Sequence, residues 1–245
     1  MRIKAVIAYD GTDYHGFQRQ SPDREPSIQG TLENALSKIG QAGTVLGAGR
    51  TDAGVHASGQ VIAFDVNWQH GLDDLQRALN ATLPADIAVL DLEQTADTFH
   101  PRFDAVSRAY RYSIENTRVR NPLTVRYALH VPQALDVDAM RRALAYTIGD
   151  HDFAAFGQPT VGESTTRSMI RADVIADGST IAIELQANGF LYRMVRRIVG
   201  TLIPIGRGEQ PPEEFDQILK SIDPNQAGPA VAPNGLCLIA VNYGR

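Results

Sequence analysis

The order of apolar and polar residues along the first hundred positions predicts strands and helices in alternation. Apolar residues recur at every second position in some stretches and at spacings of three and four in others. The predicted elements are strands at 3–11, 59–66 and 86–95 and helices at 27–40 and 72–84. Ser27 is suited to cap the first helix, and Pro84 is suited to end the second. We therefore expect the order β-α-β-α-β in this part of the chain.

The rest of the chain repeats this mixture. The predicted elements are strands at 107–116, 180–188 and 237–244 and helices at 136–149 and 190–206. Interleaved strands and helices predict an α+β fold. The repeated order further indicates two similar halves, residues 1–105 and 106–245, which would leave a cleft between them.

The helix predicted at 190–206 is strongly amphipathic. At 100° per residue, seven apolar residues fall within about 180° of arc; they are Leu191, Met194, Val195, Ile198, Val199, Leu202 and Ile203. The opposite side holds Arg193, Arg196, Arg197 and Gly200. A solvated charged face is one interpretation. Because like charges at helical spacing repel one another and no acidic partner is near, an external anion is the other.

The distribution of charge changes what the net charge of −5 implies. Residues 102–126 hold six arginines against Asp104 and Glu115, and residues 185–208 hold four arginines and no acid, so each stretch carries a local charge of +4. Such segregated positive charge is what a polyanionic partner requires. A nucleic acid is therefore compatible with this acidic protein.

Several classes of protein are disfavoured by the composition. A single cysteine rules out an internal disulfide and a cysteine-based zinc site, and the six histidines are scattered, so we expect no metal. No apolar run approaches the roughly 18 residues of a membrane span, and the N-terminus lacks the pattern of a signal peptide. We therefore expect a cytoplasmic protein without membrane attachment.

Residues 46–60, LGAGRTDAGVHASGQ, form a glycine-rich connection. Asp52 followed by Gly54 is by itself ordinary turn chemistry. The connection lacks the lysine of a P-loop and the third glycine of a dinucleotide fingerprint, and no second carboxylate is evident for a glycosidase pair. Arg50 lies two residues before Asp52, and a neighbouring guanidinium favours an ionised carboxylate. This pattern suits a nucleophile or a base rather than a general acid.

The stretch RAYRY at 108–112 combines aromatic and basic residues on a predicted strand. Tyr110 and Tyr112 lie on one face of that strand, and Arg111 lies on the other. The tyrosines could belong to an ordinary core, but aromatic rings flanked by Arg108 and Arg111 are also typical of strands that stack and hold RNA.

Five motifs in order resemble the TruA-type tRNA pseudouridine synthases. The motifs are YDGTDYHGFQRQ (9–20), AGRTDAGVHA (48–57), RAYRY (108–112), GDHDFAAF (149–156) and NGFLYRMVRRIVGTL (188–202). The resemblance implies two similar mixed α/β halves with largely antiparallel sheets that flank a basic central cleft. It also implies isomerisation of uridine to pseudouridine in the anticodon stem-loop of tRNA, at positions 38 to 40, by a homodimer without a metal or organic cofactor.

The resemblance also implies a role for individual residues. Asp52 corresponds to the nucleophile, Tyr110 to the residue that stacks on the target base, and Arg196 to the partner of the catalytic carboxylate. Arg50 is expected to help hold the flipped nucleotide, and the glycines around it to let that nucleotide approach the backbone. The expected RNA contacts are Arg108, Arg111, Arg193 and Arg197.

Two other functions remain open at this point. In an N-glycosidic hydrolase that acts on nucleosides or RNA, water would capture the sugar and free base would be released. In a non-catalytic tRNA-binding protein of the same fold, the arginines would bind RNA but Asp52 would perform no chemistry.

Overall fold

The computed structural model describes residues 1–21, 26–159, 162 and 164–244. The strands are β1 Arg2–Tyr9, β2 Leu46–Gly47, β3 His56–Asp65, β4 Ile87–Gln94, β5 Ala105–Glu115, β6 Leu129–His130, β7 Gly149–Asp152, β8 Thr166–Asp177, β9 Thr180–Ala187 and β10 Leu236–Tyr243. The α-helices are α1 Ile28–Lys38, α2 Leu72–Thr82, α3 Val137–Ala145, α4 Met194–Gly206 and α5 Glu214–Ser221. Most strand pairs are antiparallel, which confirms the predicted α+β class. Within the described ranges, no helix is long and apolar enough to cross a lipid bilayer.

The chain forms two compact units. The first consists of Met1–Val106 together with Cys237–Arg245, and the second of Ser107–Leu236. The predicted halves, 1–105 and 106–245, differ from these units in the assignment of the last strand. The reason is strand pairing, because Cys237 and Leu238 of β10 pair in parallel with the first two residues of β3.

The sheet of the first unit has the order β4-β1-β3-β10, and β2 also pairs with β3. Along β1 buried residues alternate with partly exposed ones, as the period of two predicts, whereas β3 has neighbours on both edges and is buried at nearly every position. Helix α1 begins as expected, because the Ser27 hydroxyl accepts a hydrogen bond from the Gly30 N–H at 3.2 Å. Helix α2 ends two residues before Pro84.

The sheet of the second unit has the order β5-β9-β8-β7, and the short strand β6 pairs in parallel with β5. Helix α3 lies against β8 and also contacts α4 and α5. Its N-terminus is capped by Asp136, whose carboxylate accepts a hydrogen bond from the Ala139 N–H at 2.9 Å. The helix predicted at 136–149 is therefore confirmed, although it ends at Ala145.

Helix α4 differs from the predicted helix at 190–206. It begins at Met194, because the preceding residue, Arg193, has a left-handed backbone with a φ of 61°. The segment before it is extended instead, and the Tyr192 N–H donates to the Gln158 carbonyl at 2.9 Å. Ten of the 13 residues of α4 are buried. All seven residues of the predicted apolar face are buried, which confirms that face. On the predicted basic side, Arg196 and Arg197 are only partly exposed.

Candidate active site

The loop of residues 48–55, here called the Asp52 loop, connects β2 to β3. At its start the Ala48 N–H donates to the Val61 carbonyl at 2.8 Å, and Gln60 Nε2 donates to the Gly49 carbonyl at 2.9 Å. Gln60 is fully buried, so its amide requires a partner inside the protein. These two contacts fix the loop to β3 as it leaves β2.

The residue before Asp52 is held from the end of β1. The hydroxyl oxygens of Tyr9 and Thr51 lie 2.8 Å apart, and both side chains are buried. The Thr51 carbonyl also accepts a hydrogen bond from the Phe17 N–H at 3.0 Å. Thr51 is thus bound through both its side chain and its backbone, and the half-buried Asp52 follows it directly.

The residues after Asp52 are held by the segment that follows β1. The Gly54 N–H donates to the Tyr14 carbonyl at 3.3 Å, and the Val55 N–H donates to the Asp52 carbonyl at 3.1 Å. Tyr14 is itself anchored, because its hydroxyl donates to Asp86 Oδ1 at 2.7 Å. Burial and this hydrogen bond raise the pKa of Tyr14. The backbone on both sides of Asp52 is therefore bound to one segment.

Two glycines allow this segment to approach the Asp52 loop. A Cβ atom on Gly11 would lie 2.0 Å from the Val55 carbonyl oxygen. Gly16 has a φ of 103°, and a Cβ atom there would lie 2.8 Å from the Thr51 carbonyl oxygen. Backbone can approach backbone this closely only where no side chain intervenes. The two motifs that the sequence presents separately are one packed structure.

The structure changes the explanation of two glycines near Asp52. A Cβ atom on Gly47 would lie 2.4 Å from the Phe17 ring, and one on Gly59 would lie 2.2 Å from the Ile239 carbonyl oxygen. Internal packing therefore explains why glycine stands at these two positions. Gly54 has a φ of 76°, which favours glycine at this turn.

A buried histidine that the sequence did not single out lies at the end of the Asp52 loop. His56 Nδ1 accepts a hydrogen bond from the Gly11 N–H at 3.1 Å and is also 3.1 Å from Asp10 Oδ1. Asp10 Oδ1 accepts hydrogen bonds from the backbone N–H and the hydroxyl of Thr12, at 3.0 and 2.6 Å. The hydrogen bond from Gly11 to His56 thus joins the loop to the segment after β1. In the sequence, the only feature that marks Asp10 and His56 is that they lie within the motifs 9–20 and 48–57.

Of the two predicted site residues in the first unit, Arg50 and Asp52, Arg50 has the more exposed side chain. It is exposed, and it makes no hydrogen bond or ion pair within the described part of the chain. Its guanidinium is therefore available for a substrate. It also lines a pocket, which is described below.

In the second unit, Tyr110 and Tyr112 share the buried face of β5, as predicted. Tyr112 is fully buried, and its hydroxyl donates to the Ala232 carbonyl at 2.8 Å. Burial raises its pKa. Tyr110 keeps 9% exposure and packs edge-on against Phe190, with ring centroids 4.9 Å apart. Of the two rings, Tyr110 is the one that a base could reach.

Arg196 is oriented by the chain segment of residues 224–231. Its Nε donates to the Val231 carbonyl at 2.7 Å, and the Val231 N–H donates back to the Arg196 carbonyl at 3.2 Å. The guanidinium is close enough to the Tyr112 hydroxyl to oppose the rise in its pKa. The direction of the Arg196 side chain is therefore set before any substrate binds.

Arg197 differs from its predicted role as an RNA contact. Its Nη2 donates to the Pro224 carbonyl and, at 3.3 Å, to the Ala227 carbonyl. The same segment crosses α4 so closely that a Cβ atom on Gly200 would lie 2.0 Å from the Pro229 carbonyl oxygen. Residues 224–231 therefore lie over the side of α4 that the sequence predicts to be a basic face.

The other predicted RNA contacts have different surroundings. Arg111 pairs with Glu184, whose Oε1 is 2.9 Å from Nε and 2.6 Å from Nη2 of the arginine. Arg108 Nη1 donates to the Asn188 carbonyl at 3.1 Å. Arg193 is exposed, and its guanidinium lies 4.8 Å from the centroid of the neighbouring tyrosine ring. Arg193 is therefore the best placed of the set to meet a phosphate.

Comparison with known proteins identifies the family. The family described as tRNA pseudouridine synthase matches residues 5–104 and 143–244. Proteins named tRNA pseudouridine synthase A from Streptococcus pneumoniae strains 70585 and Hungary19A-6 are each 43% identical to this chain over 247 residues. The alignments cover 99% of this chain and 98% of each relative. These matches confirm the resemblance seen in the sequence motifs. The chain belongs to the tRNA pseudouridine synthase family.

Proposed function

We propose that this protein isomerises uridine to pseudouridine in tRNA and that its target uridines lie in the anticodon stem-loop, at positions 38 to 40. Family membership supports the reaction. The observation that carries the site is the attachment of the Asp52 loop, whose backbone is bound by Phe17 on one side of Asp52 and by Tyr14 on the other. A carboxylate held in this way is preorganised for reaction.

In the proposed reaction, Asp52 is the ionised nucleophile of covalent catalysis. The bond between N1 of the uracil and C1′ of the sugar breaks, the uracil turns, and C5 bonds to C1′ of the same sugar. C5 then loses its proton, N1 gains one, and the covalent bond to Asp52 is broken again. The nucleoside is neither oxidised nor reduced and keeps its composition, so the conversion is an isomerisation. Arg50, two residues earlier in the loop, helps to hold the nucleotide.

The second unit supplies the other proposed groups. A uridine in a stem must be flipped out before it can react, which costs a few kcal/mol. Stacking on the Tyr110 ring, worth about 1–3 kcal/mol per base, offsets part of this cost. Arg196 is the proposed cationic partner of the catalytic carboxylate. Arg108 and Arg193 are the proposed contacts to RNA phosphates. Arg111 and Arg197 instead bind Glu184 and the carbonyls of residues 224–231 within the protein.

The proposed assembly is a homodimer, and the proposed location is the cytoplasm. Both rest on membership in a family of tRNA-modifying enzymes. Sedimentation equilibrium of the purified protein should give twice the chain mass of 26.7 kDa. A monomer at micromolar concentration would contradict the proposed assembly.

The reaction is tested by mapping pseudouridine in unmodified tRNA after incubation with the purified protein. We expect pseudouridine at positions 38 to 40 without release of uracil. Free uracil would indicate the hydrolase. Pseudouridine elsewhere in the tRNA would contradict the proposed target.

The role of Asp52 is tested by Asp52→Ala, with Asp91→Ala as a matched control because Asp91 is an exposed carboxylate on β4 of the same unit. Asp52→Ala should abolish pseudouridine formation and keep tRNA affinity within a few fold. Asp91→Ala should keep both. Turnover by Asp52→Ala would exclude Asp52 as the nucleophile.

A further inference from the structure

A pocket of about 220 Å³ lies in the first unit beside the Asp52 loop. Its lining includes Gln18, Gln29, Arg50, His100, Arg102 and Phe103. We call it the Arg50 pocket. Its volume is below the 300–1,000 Å³ usual for sites that hold drug-sized ligands, so it suits a single base or a phosphate.

The turn of residues 100–103 presents an aromatic ring to solvent. Phe103 is 75% exposed, although its ring is large and apolar. The ring contacts His100, with centroids 4.3 Å apart, and the Arg102 guanidinium lies 5.9 Å from its centroid. Asp104 holds the backbone of this turn by accepting a hydrogen bond from the His100 N–H at 2.9 Å. The ring is therefore displayed by a fixed turn.

The charge of the pocket is one-sided. Arg50 and Arg102 line it, and no carboxylate does so among the described residues. Gln29 is held by other residues of the protein, because its Oε1 accepts from the Arg19 N–H at 3.0 Å and its Nε2 donates to Glu33 at 3.0 Å. Gln18 is exposed and offers both a donor and an acceptor.

An exposed ring, two guanidinium groups and an amide are the groups that bind an unpaired nucleotide. A base can stack on an aromatic ring whatever its sequence, and arginine holds the adjoining phosphate. Arg50 is two residues from Asp52, which corresponds to at most about 7 Å along the backbone. An occupant of this pocket would therefore be a close neighbour of the reacting nucleotide.

We infer that the Arg50 pocket is a second nucleotide site, in which Phe103 stacks on an unpaired base next to the target uridine and Arg50 and Arg102 hold its phosphate. This inference rests on the proposed function, because it takes RNA as the substrate. It adds a contact that fixes which nucleotide of the loop is presented to Asp52.

The inference is tested by measuring tRNA binding in a background of Asp52→Ala, so that the affinity does not depend on turnover. Phe103→Ala should weaken binding about tenfold, and Phe103→Trp should restore it because the indole also stacks. Arg102→Gln should weaken binding and lower the salt slope of the affinity by about one. Leu90→Ala is the matched control, since Leu90 is a 50% exposed apolar residue of the same unit.

Two results would overturn the inference. Equal affinities for Phe103→Ala and Leu90→Ala would show that no base stacks on Phe103. A change in the sedimenting mass of Phe103→Ala would show that the ring is a contact between copies of the chain. Failure of the proposed function looks different, because wild-type protein would then form no pseudouridine while the effect of Phe103→Ala on tRNA binding remained.

Discussion

The hydroxyl groups of Tyr9 and Thr51 lie 2.8 Å apart in the interior of the first unit, although 42 positions separate them in the chain. Tyr9 is the last residue of β1, and Thr51 immediately precedes the proposed nucleophile. A buried hydroxyl that loses its partner costs about 1–3 kcal/mol. The position of the nucleophile therefore depends on a residue at the end of a different strand.

Tyr9→Phe should lower the free energy of unfolding by about 1–3 kcal/mol and lower kcat more than it lowers tRNA affinity, because the Thr51 hydroxyl loses its partner. Thr51→Val tests the same bond from the other side. In a double-mutant cycle of denaturant unfolding, the two substitutions should be strongly non-additive. Additive effects would show that the bond does not couple them.

Gly11→Ala should destabilise the protein by at least the 1–3 kcal/mol usual for overpacking, because its Cβ atom would lie 2.0 Å from a backbone oxygen. The control is Gly71→Ala, where the nearest atom is a carboxylate oxygen 3.7 Å away. Thermal unfolding should separate the two variants clearly. Equal melting temperatures would contradict the close approach of the segment after β1 to the Asp52 loop.

Arg193→Gln and Arg197→Gln should differ in kind. Arg193→Gln should lower the salt slope of tRNA affinity by about one and leave stability unchanged, because its guanidinium is exposed. Arg197→Gln should lower stability by about 1–3 kcal/mol, because two carbonyls of the segment 224–231 lose a charged donor. Titrations at several salt concentrations and chemical unfolding would measure both. A lower salt slope for Arg197→Gln together with a loss of stability for Arg193→Gln would instead support the basic helix face that the sequence predicts.

Tyr110→Phe keeps the ring and removes only the hydroxyl, so tRNA binding and turnover should stay near wild type. Tyr110→Ala should reduce kcat/KM by the equivalent of about 1–3 kcal/mol, the value of one stacked base. Single-turnover assays with both variants would measure this difference. A collapse of activity in Tyr110→Phe would contradict stacking as its role.

Alkaline pH should destabilise the fold through Tyr112. Because burial raises its pKa, the hydroxyl stays protonated in the folded protein while it ionises in the unfolded chain above about pH 10. The unfolded state then binds fewer protons, so stability is complete below that pH and falls as the pH rises further. Tyr112→Phe should be less stable at pH 7 but lose less stability between pH 9 and 11, as urea unfolding would show. If Tyr112→Phe lost as much stability as the wild type between pH 9 and 11, ionisation of Tyr112 would be excluded as the cause.

Local signals were sufficient to predict much of the fold. The Ser27 cap and the alternation along β1 are properties of neighbouring residues, and both are present in the structure. The start of α4 was not predictable in this way, because the pairing of Tyr192 with Gln158, 34 positions earlier, replaces the first turn of the helix.

Two other elements, β8 and α5, were not predicted. In β8 the alternation is broken by an irregular register between Met169 and Arg171. The short helix α5 does carry a helical signal, since Phe215, Ile218 and Leu219 are its buried residues. The surroundings of Asp52 required long-range contacts, so the sequence could identify the residue but not what holds it.

The return of β10 to the first unit bears on how the protein is made. The ribosome adds Cys237 and Leu238 only after the whole of the second unit has been synthesised, yet these residues pair with His56 and Ala57, where the Asp52 loop enters its strand. A nascent chain that has exposed only its first hundred residues therefore cannot form the pairing between β3 and β10. The strand pairing at the end of the Asp52 loop is thus completed only when translation is nearly finished.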